Sequence, residues 1–132
     1  MRITLSSIIV EDQEKAIAFY RDVLGFVVKT DSPAGSARWI TLASPEDEDG
    51  AQITLEPAGF DFARDYQRAL KANGVPLTAF ATADIHADHA RLTAAGVTFK
   101  APPSQGDAAM PTVATFDDGC GNWIMLYEEP KG

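Results

Sequence analysis

The side chain in this sequence best placed to do chemistry is Glu56. It ends the run Gln52-Ile53-Thr54-Leu55-Glu56, which reads as a strand. Alternation puts Gln52, Thr54 and Glu56 on one face and Ile53 and Leu55 on the other. The apolar face must be buried against a helix, so the polar face is expected to line a cavity. A partly desolvated carboxylate there can act as a general acid or base, or bind a cationic group. The plainer alternative is a structural carboxylate hydrogen-bonded to Arg38 or to a neighbouring hydroxyl. The same alternation sets Trp39 and Thr41 against Ile40 and Leu42, and Trp123, Met125 and Tyr127 against Ile124 and Leu126. With Leu5, Ser7, Leu77 and Ala79 from two further strands, these residues predict an aromatic, mostly apolar cavity of the composition that holds small molecules. Trp39 and Trp123 read equally well as core or interface residues.

Other chemistry-bearing residues are weaker candidates. His86 and His89 stand three apart on a predicted helix, with Asp88 the nearest further ligand. Two ligands make a poor metal site, and both histidines are expected to face solvent. Cys120 lies in a glycine-flanked turn with no basic neighbour to lower its thiol pKa, so reactivity is not expected. The acidic run Glu46 to Asp49 lacks the ligand spacing of a calcium loop and reads as a solvated loop spanning Ser44 to Gly50. No phosphate-binding glycine loop and no nucleophile elbow is present.

The elements that must position these residues come in a repeated order. Ile3 to Val10 reads as a strand, Asp12 as the N-cap of a helix carrying Ile17, Phe19, Tyr20, Val23 and Leu24, and Gly25 as its stop. Strands are predicted at Phe26 to Thr30, Arg38 to Ala43 and Gln52 to Glu56. A linking helix, Asp61 to Asn73, follows, with Phe62, Tyr66, Ala69 and Leu70 on one face. The order then recurs: strand Leu77 to Thr82, a helix capped by Asp84 and stopped by Gly96, and strands at Thr98 to Ala101, Thr112 to Phe116 and Trp123 to Tyr127. Val10-Glu11-Asp12 matches Thr82-Ala83-Asp84 at an offset of 72, and Leu24-Gly25-Phe26-Val27 matches Ala95-Gly96-Val97-Thr98 at an offset of 71. Neither half covers both faces of its own sheet, so the halves must pair, within one chain or across a homodimer.

The stretches Val10-x-Asp12, Ala18-Phe19-Tyr20 and Val23-Leu24-Gly25-Phe26 resemble the opening of the vicinal-oxygen-chelate superfamily, the glyoxalase/bleomycin-resistance/dioxygenase group. Phe116-Asp117-Asp118-Gly119, Gly121-Asn122 and Ile124 look like that family's final hairpin. The resemblance implies an α+β fold of paired βαβββ modules, whose curved mixed sheets surround a cavity. The modules would cover about residues 1–57 and 77–128, with a helical linker over 58–76, in a single domain. In the family's metalloenzymes, ligands come from the first and fourth strands of each module. Seven residues before Asp12 and Asp84, where the first-strand ligands would lie, stand Leu5 and Leu77. Glu56 matches the fourth-strand carboxylate of the first module, and Met125 occupies its counterpart in the second. A thioether is too soft for Ni, Zn, Mn or Fe(II), and a divalent ion needs about three protein ligands. The expectation is therefore no metal and no cofactor.

The 132 residues fit one domain large enough to fold without disulfides. A formal net charge of −8 repels phosphate backbones, which argues against nucleic acid or anionic membrane as partners, and favours cationic small molecules. No segment approaches the length of a membrane span, and a single cysteine suits a reducing compartment. These features predict a soluble cytoplasmic homodimer that binds a small molecule without metal. The alternative is a lyase, isomerase or dioxygenase-like enzyme acting on a small carbonyl or aromatic compound, with Glu56 as acid/base or metal ligand.

Overall fold

The structure, a computed structural model, describes residues 1–130. The β-branched N-terminal run forms β1 (Leu5–Val10), and the Asp12 side chain accepts from the Lys15 amide to start α1 (Gln13–Ile17). The helix widens into a π-helical turn over Ala18–Val23, where the Leu24 amide reaches back five residues to the Phe19 carbonyl. Gly25, at φ +89°, reverses the chain. β2 (Val27–Ala34), β3 (Ala37–Ser44) and β4 (Asp47–Pro57) complete the first module. Its sheet has the order β1-β4-β3-β2, with β1 parallel to β4 and the other pairs antiparallel. Ile8, Val10, Ile40, Leu42 and Leu55 are buried on one face with Ala16, Ile17 and Tyr20 of the helical segment.

The second module repeats this order. β5 (Thr78–Thr82) leads to α3 (Ile85–Ala94), capped by Asp84 on the Ala87 amide, and then to β6 (Val113–Asp117) and β7 (Trp123–Glu128). The sheet order is β5-β7-β6, with β5 parallel to β7. Phe80, Phe116, Ile124 and Leu126 share the face that carries Ile85 and Leu92 of α3, and all but the half-buried Phe80 are buried. The chain divides into two compact units, and the division falls inside the intervening helix α2 (Asp61–Ala72), between Tyr66 and Gln67.

Three sequence expectations need correction. The acidic run is not a loop: Asp47, Glu48 and Asp49 belong to β4, and only Pro45 and Glu46 form the turn. Ser44 faces Asp47 while Ala43 faces Gln52, so residues 48–51 bulge outward and keep their charges in solvent. A Cβ on Gly50 would meet only the exposed Asp47 carboxylate, a side chain free to swing aside. The predicted strand Thr98 to Ala101 shrinks to one bridge, Phe99 with Phe116. Lys100 donates to Thr115 and Asp117 to Thr98, but Pro102 and Pro103 have no amide to continue the ladder. The face of α2 that carries Phe62, Tyr66 and Ala69 is not its buried one. Phe62 and Tyr66 are exposed, whereas Ala63, Gln67, Leu70 and Lys71 form the less exposed stripe. A polar residue turns inward because it has specific partners there, described below.

Candidate functional site

The face of the first sheet that turns away from α1 carries an unbroken row of hydroxyls. Ser7 lies beside Thr54, Thr54 beside Thr41 and Thr41 beside Thr30, one from each strand in the order β1-β4-β3-β2. Thr54 lies 3.2 Å from the Ser7 hydroxyl and 3.0 Å from Glu56 Oε1, and Thr41 donates to Thr30 at 3.0 Å. A carboxylate only accepts, so the Thr54 proton goes to Glu56 and Ser7 donates to Thr54. Thr41 and Thr54 are buried, and their hydroxyls are satisfied within this row. Leu5, Gln52, Trp39 and Glu56 belong to the same face by strand alternation. Leu5 and Trp39 are exposed at 46% and 40%, so the apolar surface of this face is available for contact. Leu5, Ser7, Trp39, Thr41, Gln52, Thr54 and Glu56 thus lie on one face of one sheet.

At one end of this face the sheet splits. Pairing of β3 with β4 stops at Thr41 and Thr54, while β2–β3 pairing runs on to Ala37 and β1–β4 pairing to Pro57. The Gln13 side chain bridges the two strands there. Its Nε2 donates to the Arg38 carbonyl (2.7 Å) and the Leu55 carbonyl (2.8 Å), and its Oε1 accepts from the Arg38 amide (3.1 Å). Backbone groups that the sheet leaves unpaired are thus satisfied by one amide. Trp39 and Glu56 each follow a residue that Gln13 holds. Nothing in the sequence marked Gln13 beyond its place after the Asp12 cap, because a glutamine in a first helical turn is ordinarily solvated.

Arg38 does not pair with Glu56. Its guanidinium donates to Asp31 through Nε and Nη2, at 3.0 and 2.6 Å, and to Glu14 through Nη1 at 2.5 Å. Hydrogen bonding to Arg38 holds the Asp31 carboxyl below the usual carboxylate range, and the two carboxylates push the guanidinium pKa up. No basic side chain among the described residues forms an ion pair with Glu56.

On the second sheet, Ala79, Trp123, Met125 and Tyr127 share the face opposite α3, and Leu77 precedes β5 with its amide on the Trp123 carbonyl. Trp123 is heavily engaged by its neighbours. Its indole N–H donates to the Lys71 carbonyl, and the ammonium groups of Lys71 and Lys100 sit 4.1 and 5.4 Å from its ring centroid. Lys71 also pairs with Asp117 at 2.8 Å, and Lys100 donates to the Gly74 carbonyl. The C-terminal end of α2 is therefore fastened to the second sheet through Trp123.

The buried turn between β6 and β7 is held by its own side chains. Asp118 Oδ1 accepts from the amides of Cys120 (2.7 Å) and Asn122 (3.0 Å), and Oδ2 from the Asn122 side chain (2.8 Å). Gln67 donates to the Asn122 side chain and to the Cys120 carbonyl, both at 3.1 Å, which is why this glutamine faces inward on α2. Cys120 is itself buried. His86 is exposed as expected, but His89 is half-buried with its ring 4.5 Å from that of Phe99. Aromatic packing on the segment after α3 accounts for the difference.

The two parallel ladders also correct one equivalence. Asp12 and Asp84 cap equivalent helices, so Ser7 corresponds to Ala79. Ser7 pairs with Thr54 and Ala79 with Met125, which makes Thr54 the counterpart of Met125 and Glu56 that of Tyr127. Glu56 therefore lies one pleat beyond the position taken above as the family's carboxylate. The residues at the four ligand positions become Leu5, Thr54, Leu77 and Met125. Neither leucine carries a donor, and Thr54 offers a hydroxyl already given to Glu56. Among the described residues no group of three or more histidine, cysteine or acidic side chains could hold a metal ion.

Comparison with known proteins agrees with this architecture. A Bacillus subtilis (strain 168) protein of uncharacterised function, YurT, is 43% identical over 129 residues, covering 98% of this chain and 100% of its own. The crystal structure of UcmS2 superposes with a TM-score of 0.82 at 30% identity, covering 96% of this chain and 97% of that one. TnmS3 from Streptomyces sp. CB03234, described as an antibiotic binding protein, superposes with a TM-score of 0.75 at 28% identity, covering 98% and 97%. The model of the Glyoxalase/Bleomycin resistance protein/Dioxygenase superfamily matches residues 2–126. That match spans nearly the whole chain, and the chain belongs to the Glyoxalase/Bleomycin resistance protein/Dioxygenase superfamily.

Proposed function

We propose that this protein binds a small molecule without the help of a metal ion, on the face of the first sheet that carries the hydroxyl row. The observation that carries the proposal is that row itself: it ends in the half-buried Glu56 carboxylate and is flanked by exposed Trp39 and Leu5. A few placed polar groups among apolar and aromatic side chains are what a small-molecule site needs for orientation and for affinity. The side chains of Leu5, Thr54, Leu77 and Met125 do not suit a divalent ion. A structural relative described as an antibiotic binding protein supports binding over catalysis. The reading includes a cytoplasmic homodimer, a state that light scattering at micromolar concentration measures.

The test is thermal unfolding in EDTA with bleomycin, an anthraquinone and simple aromatic amines as probes. A compound present at about 100 times its Kd adds about 2.7 kcal/mol of stability and raises Tm by several degrees. At least one probe should do so, and the shift should shrink in Trp39→Leu. A flat response to the whole panel contradicts the proposal.

A further inference from the structure

We infer that the split between β3 and β4 seats a protonated amine attached to an aromatic body, with Glu56 as its counter-ion and Trp39 as its apolar wall. The inference rests on the small-molecule reading above and names the chemistry of the ligand.

Glu56 is half-buried, its Oε1 accepts from the Thr54 hydroxyl, and no ion pair among the described residues reaches it. Arg38, the partner the sequence suggested for it, is held by Asp31 and Glu14 instead. A half-buried carboxylate without a positive partner has lost hydration that an incoming cation restores, and a charge-assisted hydrogen bond to Oε2 would be the stronger for its partial desolvation.

The split supplies the room. In a continuous antiparallel ladder, Trp39 would lie opposite Glu56, two residues beyond the Thr41–Thr54 pair on each strand. Here that pairing is absent, and Gln13 holds the two strands apart by their own backbone groups. The ladder pairing that would set Trp39 directly opposite Glu56 is therefore missing. Trp39 remains 40% exposed in the process. An indole face beside a carboxylate suits an ammonium group carried on a flat ring, since the ring stacks and the cation meets both the π-face and the carboxylate. A net charge of −8 adds long-range attraction for such a ligand. Gln13 is a positioning residue in this scheme: it touches no ligand and fixes the distance between the strands that do.

Three indoles that differ in charge at one end provide the probes: tryptamine (cationic), tryptophol (neutral) and indole-3-acetate (anionic). Titration calorimetry on the full chain should give the order tryptamine, tryptophol, indole-3-acetate, with tryptamine about tenfold tighter than tryptophol. Raising NaCl from 50 to 500 mM should weaken tryptamine binding and leave tryptophol unchanged. Glu56→Gln should erase the preference while leaving tryptophol binding intact, and Trp39→Leu should weaken all three. Gln13→Ala should lower the tryptamine preference and shift the Trp39 and Glu56 amide resonances, whereas Gln13→Glu, which can still accept from Arg38 but cannot donate to two carbonyls, should not restore them. Equal binding of tryptamine and tryptophol, or a preference that survives Glu56→Gln, overturns the inference and leaves the small-molecule reading standing. Failure of all three indoles overturns it as well; that reading falls only if the wider panel also gives nothing.

Discussion

Asp118→Ala should be the most damaging single substitution in the second module, lowering stability by about 4 kcal/mol, because it leaves buried donors without an acceptor. The carboxylate is 1% exposed and accepts from two backbone amides and one side chain. Alanine strands all three donors in a turn closed to water. It also frees Asn122, whose carbonyl oxygen is the acceptor for Gln67, so the contact between α2 and the turn loosens too. Asp118→Asn tests the mechanism separately from side-chain size. Its oxygen can serve the amides, but its NH2 would face the NH2 of Asn122, and the cost should fall to about 1–3 kcal/mol. Urea unfolding of the three proteins measures the series. An alanine variant within 1 kcal/mol of the parent would mean that the turn does not depend on this carboxylate.

Tyr20→Ala should cost the first module about 3–5 kcal/mol, the range for removing a large fully buried aromatic. Tyr20 is 0% exposed, its ring 5.3 Å from that of Phe19 in an edge arrangement and 6.4 Å from that of Phe26 in a stacked one. It sits in the π-helical turn, and the Phe26 amide donates to its carbonyl at 2.9 Å. The wider turn carries Tyr20 inward and returns the chain to β2. Tyr20→Phe keeps the ring and should retain most of the stability. Chemical denaturation monitored by circular dichroism reads both variants, and a phenylalanine variant as unstable as alanine would show that the hydroxyl, not the ring, carries the effect.

Much of this architecture is legible from residue types alone. Asp12 and Asp84 announce their helices as N-caps, Gly25 and Gly96 end them at positive φ, and alternation assigns the faces of β1, β3, β4 and β7. The failures share a physical cause, namely partners far away in sequence. Gln67 turns inward on α2 for the sake of Asn122, 55 positions on, which no hydrophobic pattern announces. Gln13 bridges strands 25 and 42 positions away, and its side chain carries the site's most unusual backbone arrangement. Glu56 was legible as a face residue, but its register was not. Counting along the sequence places it level with Met125, whereas the parallel ladder places it level with Tyr127. One pleat separates a carboxylate in the family's ligand position from one beside it, and only strand pairing resolves that difference.

The central claim is binding without metal, and metal analysis of untagged protein tests it most directly. Elemental mass spectrometry should find no stoichiometric Ni, Zn, Mn or Fe, and titration with each ion should give no site tighter than the adventitious background. The same titrations should leave the Tm shift of a stabilising probe unchanged. One ion held tightly per chain and lost in Glu56→Ala would contradict the account and make this protein a metalloenzyme candidate.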